Sequence, residues 1–134
     1  FGLLGTESFS TFDSKYKKLK DSRSGLKCLV ILNEITNEPW GMCFYYLCSK
    51  SELPIGKENK KFAEIEYLVI DKKYRKLGLG PMMLQIVENE CRQAGYDYTY
   101  LEPLNDRLRE FYKRLGYYQD LDFYLGRTRL IKKL

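Results

Sequence analysis

The stretch FAEIEYLVIDKKYRKLGLGPMMLQIVENECRQAGY, from Phe62 to Tyr96, constrains the fold more than any other part of the chain. Its first ten residues read as a strand with Glu64 and Glu66 on one face and Ile65, Tyr67 and Val69 on the other. Two glycines one residue apart follow. Met82, Met83, Ile86, Val87 and Cys91 then recur at helical spacing up to Gly95, a C-cap. A strand that enters a helix through bare glycines suits an anion, because the first N–H groups of a helix lack intrahelical partners and carry the positive end of its dipole. Glycine also lets a pyrophosphate approach the amides, and Arg75 and Lys76 add formal charge beside them. The same residues fit an ordinary strand-to-helix turn with Pro81 at the first helical position, so the loop alone does not choose.

The rest of the chain extends this unit into a mixed sheet. Phe12 to Lys20 reads as a surface helix. CLVILNEITNEPWGMCFYYLC reads as a β-hairpin whose turn contains Asn37 and Pro39, and Ser49 to Lys61 as an exposed connection. YDYTYL is a further strand, NDRLREFYKRLGY a helix begun by an Asn or Asp cap and ended by Gly116, and the tail supplies one or two closing strands. This order predicts an α/β fold with helices covering the sheet, in one domain over residues 1–134. The chain begins at Phe1, which suggests a trimmed or incomplete N-terminus.

Composition removes several function classes. There is no histidine among the 134 residues, so a general acid or base must be a carboxylate, tyrosine, cysteine, lysine or water. Cys28, Cys43, Cys48 and Cys91 sit at irregular spacing among apolar residues and read as reduced core thiols, with no metal site expected. The net charge of +5 fits an anionic partner but equally a solvated surface. No apolar run approaches the roughly 20 residues of a membrane span, and the chain is expected to be cytoplasmic with no membrane partner.

Two motifs give the chain a family likeness. Arg75, Lys76, Leu77, Gly78, Leu79 and Gly80 resemble the pyrophosphate-binding signature [Q/R]-x-x-G-x-[G/A] of the GNAT acetyltransferases. Asn105, Phe111, Tyr112, Gly116 and Tyr117 match that family's second signature, N-x-x-x-x-x-F-Y-x-x-x-G-[F/Y]. AEIEYLVID looks like the family's fourth strand, and Trp40 and Gly41 resemble its hairpin, so the likeness runs from about Leu29 to Tyr117. Pro81 departs from the pattern by offering no N–H where many relatives have one. No first strand is legible before the N-terminal helix, so the start of the domain reads as truncated or remodelled.

The resemblance implies a GNAT fold, a mixed and mostly antiparallel central sheet flanked by helices, and direct transfer of an acetyl group from acetyl-CoA to an amine. Within it Glu66 maps to the general base, acting through water, with Glu64 as the alternative. A backbone amide of Leu68, Val69 or Ile70 maps to the donor for the thioester oxygen, and Tyr112 to the general acid for the departing thiolate. The cofactor cradle maps to Arg75 through Gly80, with Asn105 capping its helix and contacting the cofactor. The acceptor, a small molecule or a protein amine, is left open, as is a homodimer. The competing reading is a CoA-binding module with a regulatory role. A nucleic-acid partner has little support.

Overall fold

The computed structural model describes residues 25–33, 35–47, 60–120 and 129–134. The expected N-terminal helix, the question of a first strand, and most of the connection from Ser49 to Lys61 lie outside those residues. Five strands form one mixed sheet in the order β1 (Leu26–Leu32), β2 (Pro39–Leu47), β3 (Phe62–Ile70), β4 (Tyr98–Leu101) and β5 (Leu130–Lys133). Two helices are described, α1 (Leu79–Gln93) and α2 (Asp106–Arg114), and a 3₁₀ turn over Lys72–Tyr74 precedes α1. The residues pack as two compact units. One holds the described residues up to Tyr46 together with Glu66–Val87; the other holds Leu47, the described residues up to Ile65, and those from Glu88 onward.

In the first unit, β1 and β2 pair antiparallel as the expected hairpin. Its turn is built by Asn33, whose side-chain oxygen accepts from the amides of Ile35 at 2.9 Å and Thr36 at 3.2 Å, and by Asn37 at φ 58°. Asparagine tolerates that left-handed conformation better than most residues do. Pro39 was expected in the turn, but it opens β2 opposite Leu32, where the register shifts. That is a position where a missing strand donor is tolerated. Gly41 sits close under the end of β3: a Cβ built on it would lie 2.7 Å from the Val69 carbonyl oxygen and 2.7 Å from Ile70 Cδ1. The glycine of the WG pair is therefore a packing requirement.

In the second unit, β3 and β4 run parallel over three pairs, from Phe62 opposite Tyr98 to Glu64 opposite Tyr100, and the ladder stops there. β4 and β5 pair antiparallel from Tyr98 opposite Lys133 to Leu101 opposite Leu130. Phe62, Tyr98, Tyr100 and Ile131 form one buried cluster, with the Phe62 and Tyr98 rings stacked at 5.0 Å. Tyr118 makes a bridge to Ile131, while residues 121–128 of the tail lie outside the described set.

Both helices end as their glycines predict. Tyr96 N donates to Cys91 O and Gly95 N to Arg92 O; Tyr117 N donates to Tyr112 O and Gly116 N to Lys113 O. With Gly95 at φ 88° and Gly116 at φ 98°, each end is a Schellman motif. The buried stripe of α1 differs slightly from its expected composition. Met83, Leu84, Val87 and Cys91 are buried, whereas Met82 is 41% exposed, because it falls one position off the stripe.

Candidate active site

The glycine loop is shaped by two left-handed residues, Lys76 at φ 68° and Gly78 at φ 76°. Lysine adopts this conformation at a cost and glycine freely. A Cβ on Gly78 would meet nothing within 4 Å, so the backbone angle, not protein packing, keeps that position bare. Gly80 has no positive φ. The left-handed demand of the loop therefore falls on Lys76 and Gly78 and not on Gly80.

Met82 N is the first amide of α1 to bond back, to Gly78 O at 3.3 Å. Gly78 is therefore the N-cap, and the amides of Leu79 and Gly80 precede the first intrahelical donor. Pro81 lies in the third helical position, not the first as expected. Its missing N–H removes no helical bond there, though it takes one donor from the helix start. The two helix starts differ in kind. Asn105 caps α2, accepting from Leu108 N at 2.9 Å, with Asp106 in the first turn. The cap of α1 has no side chain, and its first turn carries no acidic residue. A 15-residue helix with a bare, uncompensated positive end favours an anion from elsewhere.

Other sequence-predicted residues belong to the same first unit as this loop. Leu68, Val69 and Ile70 are buried side chains, as core residues should be. Arg75 Nε lies 3.5 Å from Ile70 O, so the guanidinium is tied to the end of β3. Leu77 is 64% exposed and Leu79 is buried. Glu66 is half-buried and lies beyond the last β3–β4 pair. Upstream, Asp71 N donates to Trp40 O at 2.8 Å, and the Trp40 and Tyr74 rings meet at 5.0 Å. The Tyr74 hydroxyl donates to Glu38 at 3.0 Å. The Tyr74 phenol is pushed up by desolvation first and then by Glu38. The hairpin thus anchors the segment that leads into the loop.

The remaining candidates belong to the second unit. Glu64 accepts from the Tyr100 hydroxyl at 3.4 Å. Asn105 caps α2 and Tyr112 lies within it; Tyr112 is only 7% exposed, its ring edge-on to Phe111 at 5.1 Å and to Tyr117 at 5.8 Å. Sequence reasoning missed the polar core beside them, in which Glu88 of α1, 5% exposed, joins Tyr117 and Lys132. A signal was there. Glu88 follows Leu84 by four residues and precedes Cys91 by three, so it stands within the apolar stripe and requires a partner.

Cys28, Cys43 and Cys91 take part in no disulfide, and burial pushes the Cys28 thiol up to about 11. Cys48 lies outside the described residues. Among the described residues no cluster of three His, Cys, Asp or Glu side chains is placed to hold a metal, and no helix is long and apolar enough to cross a membrane.

Comparison with known proteins agrees with this geometry. No individual curated protein matches in sequence. The fold is shared with solved structures at low identity. The PaiA N-acetyltransferase from Thermoplasma acidophilum in complex with coenzyme A has a TM-score of 0.65 at 15% identity, covering 93% of this chain and 70% of that one. The NatC complex bound to Gag peptide and CoA has a TM-score of 0.66 at 18% identity, covering 96% and 82%. AtaT complexed with acetyl-methionyl-tRNAfMet has a TM-score of 0.69 at 16% identity, covering 96% and 83%. The model of the acetyltransferase (GNAT) family matches residues 3–117, so the chain belongs to that family and has acetyl-CoA as its acetyl donor.

Proposed function

We propose that the chain transfers the acetyl group of acetyl-CoA to an amine by direct attack. The observation that carries this reading is the bare start of α1, where a side-chain-free cap and two amides ahead of the first helical donor stand beside Arg75 and Lys76. Acetyl-CoA supplies an activated acyl carbon. Leu79 and Gly80 amides, with Arg75 and Lys76, hold its pyrophosphate, and Asn105 adds a cofactor contact while capping α2. A backbone amide among Leu68, Val69 and Ile70 donates to the thioester oxygen. Glu66, or in its place Glu64, takes the proton of the ammonium form through water, leaving a nucleophilic amine. As the C–N bond forms and the C–S bond breaks, the Tyr112 hydroxyl gives its proton to the departing sulfur, so that CoA leaves as the thiol, and the second proton, shed by the acetylated nitrogen, returns through solvent to the phenolate.

The acceptor is an amine on a small molecule, a protein lysine or an N-terminus. Because similar folds are bound to a peptide in one structure and to acetyl-methionyl-tRNAfMet in another, a peptide N-terminus and an aminoacyl-tRNA join lysine peptides, polyamines and aminoglycosides in the deciding panel. Incubation with acetyl-CoA and each amine should release free CoA in proportion to acetylated product for one class. Tight binding of acetyl-CoA with no turnover on any of them would instead identify a CoA-binding module.

A further inference from the structure

The buried polar cluster behind Tyr112 has no role in the chemistry above. Its proton arrangement follows from its members. The Tyr117 hydroxyl donates its single proton to Glu88 Oε2 at 2.9 Å, so the Thr99 hydroxyl, 2.8 Å away, must donate to the Tyr117 oxygen. Lys132 Nζ donates to Glu88 Oε1 at 3.1 Å and lies 5.7 Å from the centre of the Tyr117 ring. Tyr117 and Thr99 are essentially inaccessible to solvent, at 2% and 0% exposed. The cluster therefore ties α1, β4 and β5 to one ring.

That ring holds Tyr112 in two ways. Tyr117 N donates to Tyr112 O at 3.1 Å in the helix-ending motif, and the two rings meet edge to face at 5.8 Å. A phenol anchored at its hydroxyl, its backbone and its face cannot rotate, and it restricts the neighbour against which it packs.

We propose that Tyr117, fixed by Glu88, Thr99 and Lys132, is a positioning residue that sets the orientation of the Tyr112 hydroxyl toward the departing CoA sulfur. This rests on the general-acid reading of Tyr112. Small misplacements of a reacting group cost about 10²-fold in rate, so the loss of one anchor should be visible in turnover.

The test is a double-mutant cycle on whichever amine of the panel is turned over, with acetyl-CoA saturating and temperature well below the melting point of each variant. Tyr117→Phe should lower kcat by about 10-fold to 10²-fold with the KM for acetyl-CoA within about twofold. In a Tyr112→Phe background it should lower kcat no further, because the group it positions is gone. Thr99→Val should repeat the loss and Thr99→Ser should restore it, which covers the case in which Tyr117→Phe folds poorly. An unchanged kcat in Tyr117→Phe and Thr99→Val, or an equal loss with and without the Tyr112 hydroxyl, overturns the positioning role alone. A Tyr112→Phe enzyme with full kcat, or a panel with no turnover, overturns the general-acid reading and takes this inference with it.

Discussion

Gly78 and Gly41 are both bare for reasons that can be separated by substitution. At Gly78 the angle is the constraint, and Gly78→Val places a β-branched residue in the left-handed region at about 1–2 kcal/mol. Most of that strain falls on the loop, so acetyl-CoA affinity measured by calorimetry should drop about tenfold while the melting temperature changes little. At Gly41 space is the constraint. Gly41→Ala puts a methyl group 2.7 Å from a backbone oxygen of β3, an overpacking that costs about 1–3 kcal/mol, and denaturant unfolding should show the loss. Tyr112→Phe keeps the buried ring and removes one hydroxyl. Stability should hold, and kcat on the true acceptor should fall about 10²- to 10⁴-fold, as removal of a general acid does. Full kcat in that variant would remove the role. Glu66→Gln should cut turnover most at low pH, where unprotonated amine is scarce, with acetyl-CoA affinity unchanged; if only Glu64→Gln has that effect, the other carboxylate is the base.

The elements show how far local patterns reach. Strand β3, helix α2 and the ends of both helices were legible because each carries local determinants: alternation, an Asn cap, and glycine at C′. Asn105→Ala should therefore cost about 1 kcal/mol in thermal or urea denaturation, the ordinary value of an N-cap, and raise the acetyl-CoA dissociation constant if the side chain also meets the cofactor. The start of α1 was less legible, since helix propensity alone places proline at the first position, whereas the chain turns into helix two residues earlier under the direction of Gly78. The buried stripe of α1 was also read one residue off at Met82. Its apolar run is nearly continuous, and which methionine faces inward depends on the surfaces packed against the helix.

For the whole molecule, the buried phenol predicts a pH dependence with a definite sign. Burial first, then the Glu88 carboxylate, hold the Tyr117 hydroxyl well above its ordinary value near 10, against a smaller opposing effect of the Thr99 hydrogen bond. The native state thus keeps a proton that the unfolded chain gives up above about pH 10. The stability contributed is whole below that value and is lost as pH rises beyond it. The melting temperature of the wild type should fall more steeply above about pH 10 than that of Tyr117→Phe; equal slopes there would show that the phenol is not held in this way. The sequence by itself determined the strand–glycine–helix unit, both signatures and the family, because backbone propensities, caps and bare glycines act over a few neighbouring residues. Only the tertiary structure decided that Glu88, Thr99, Tyr117 and Lys132 meet, that Gly41 lies against Val69 and Ile70, and that β3 leaves β4 after Glu64. Those facts depend on burial and strand register between segments far apart in the chain, where a buried charge or hydroxyl is tolerated only once a distant partner reaches it.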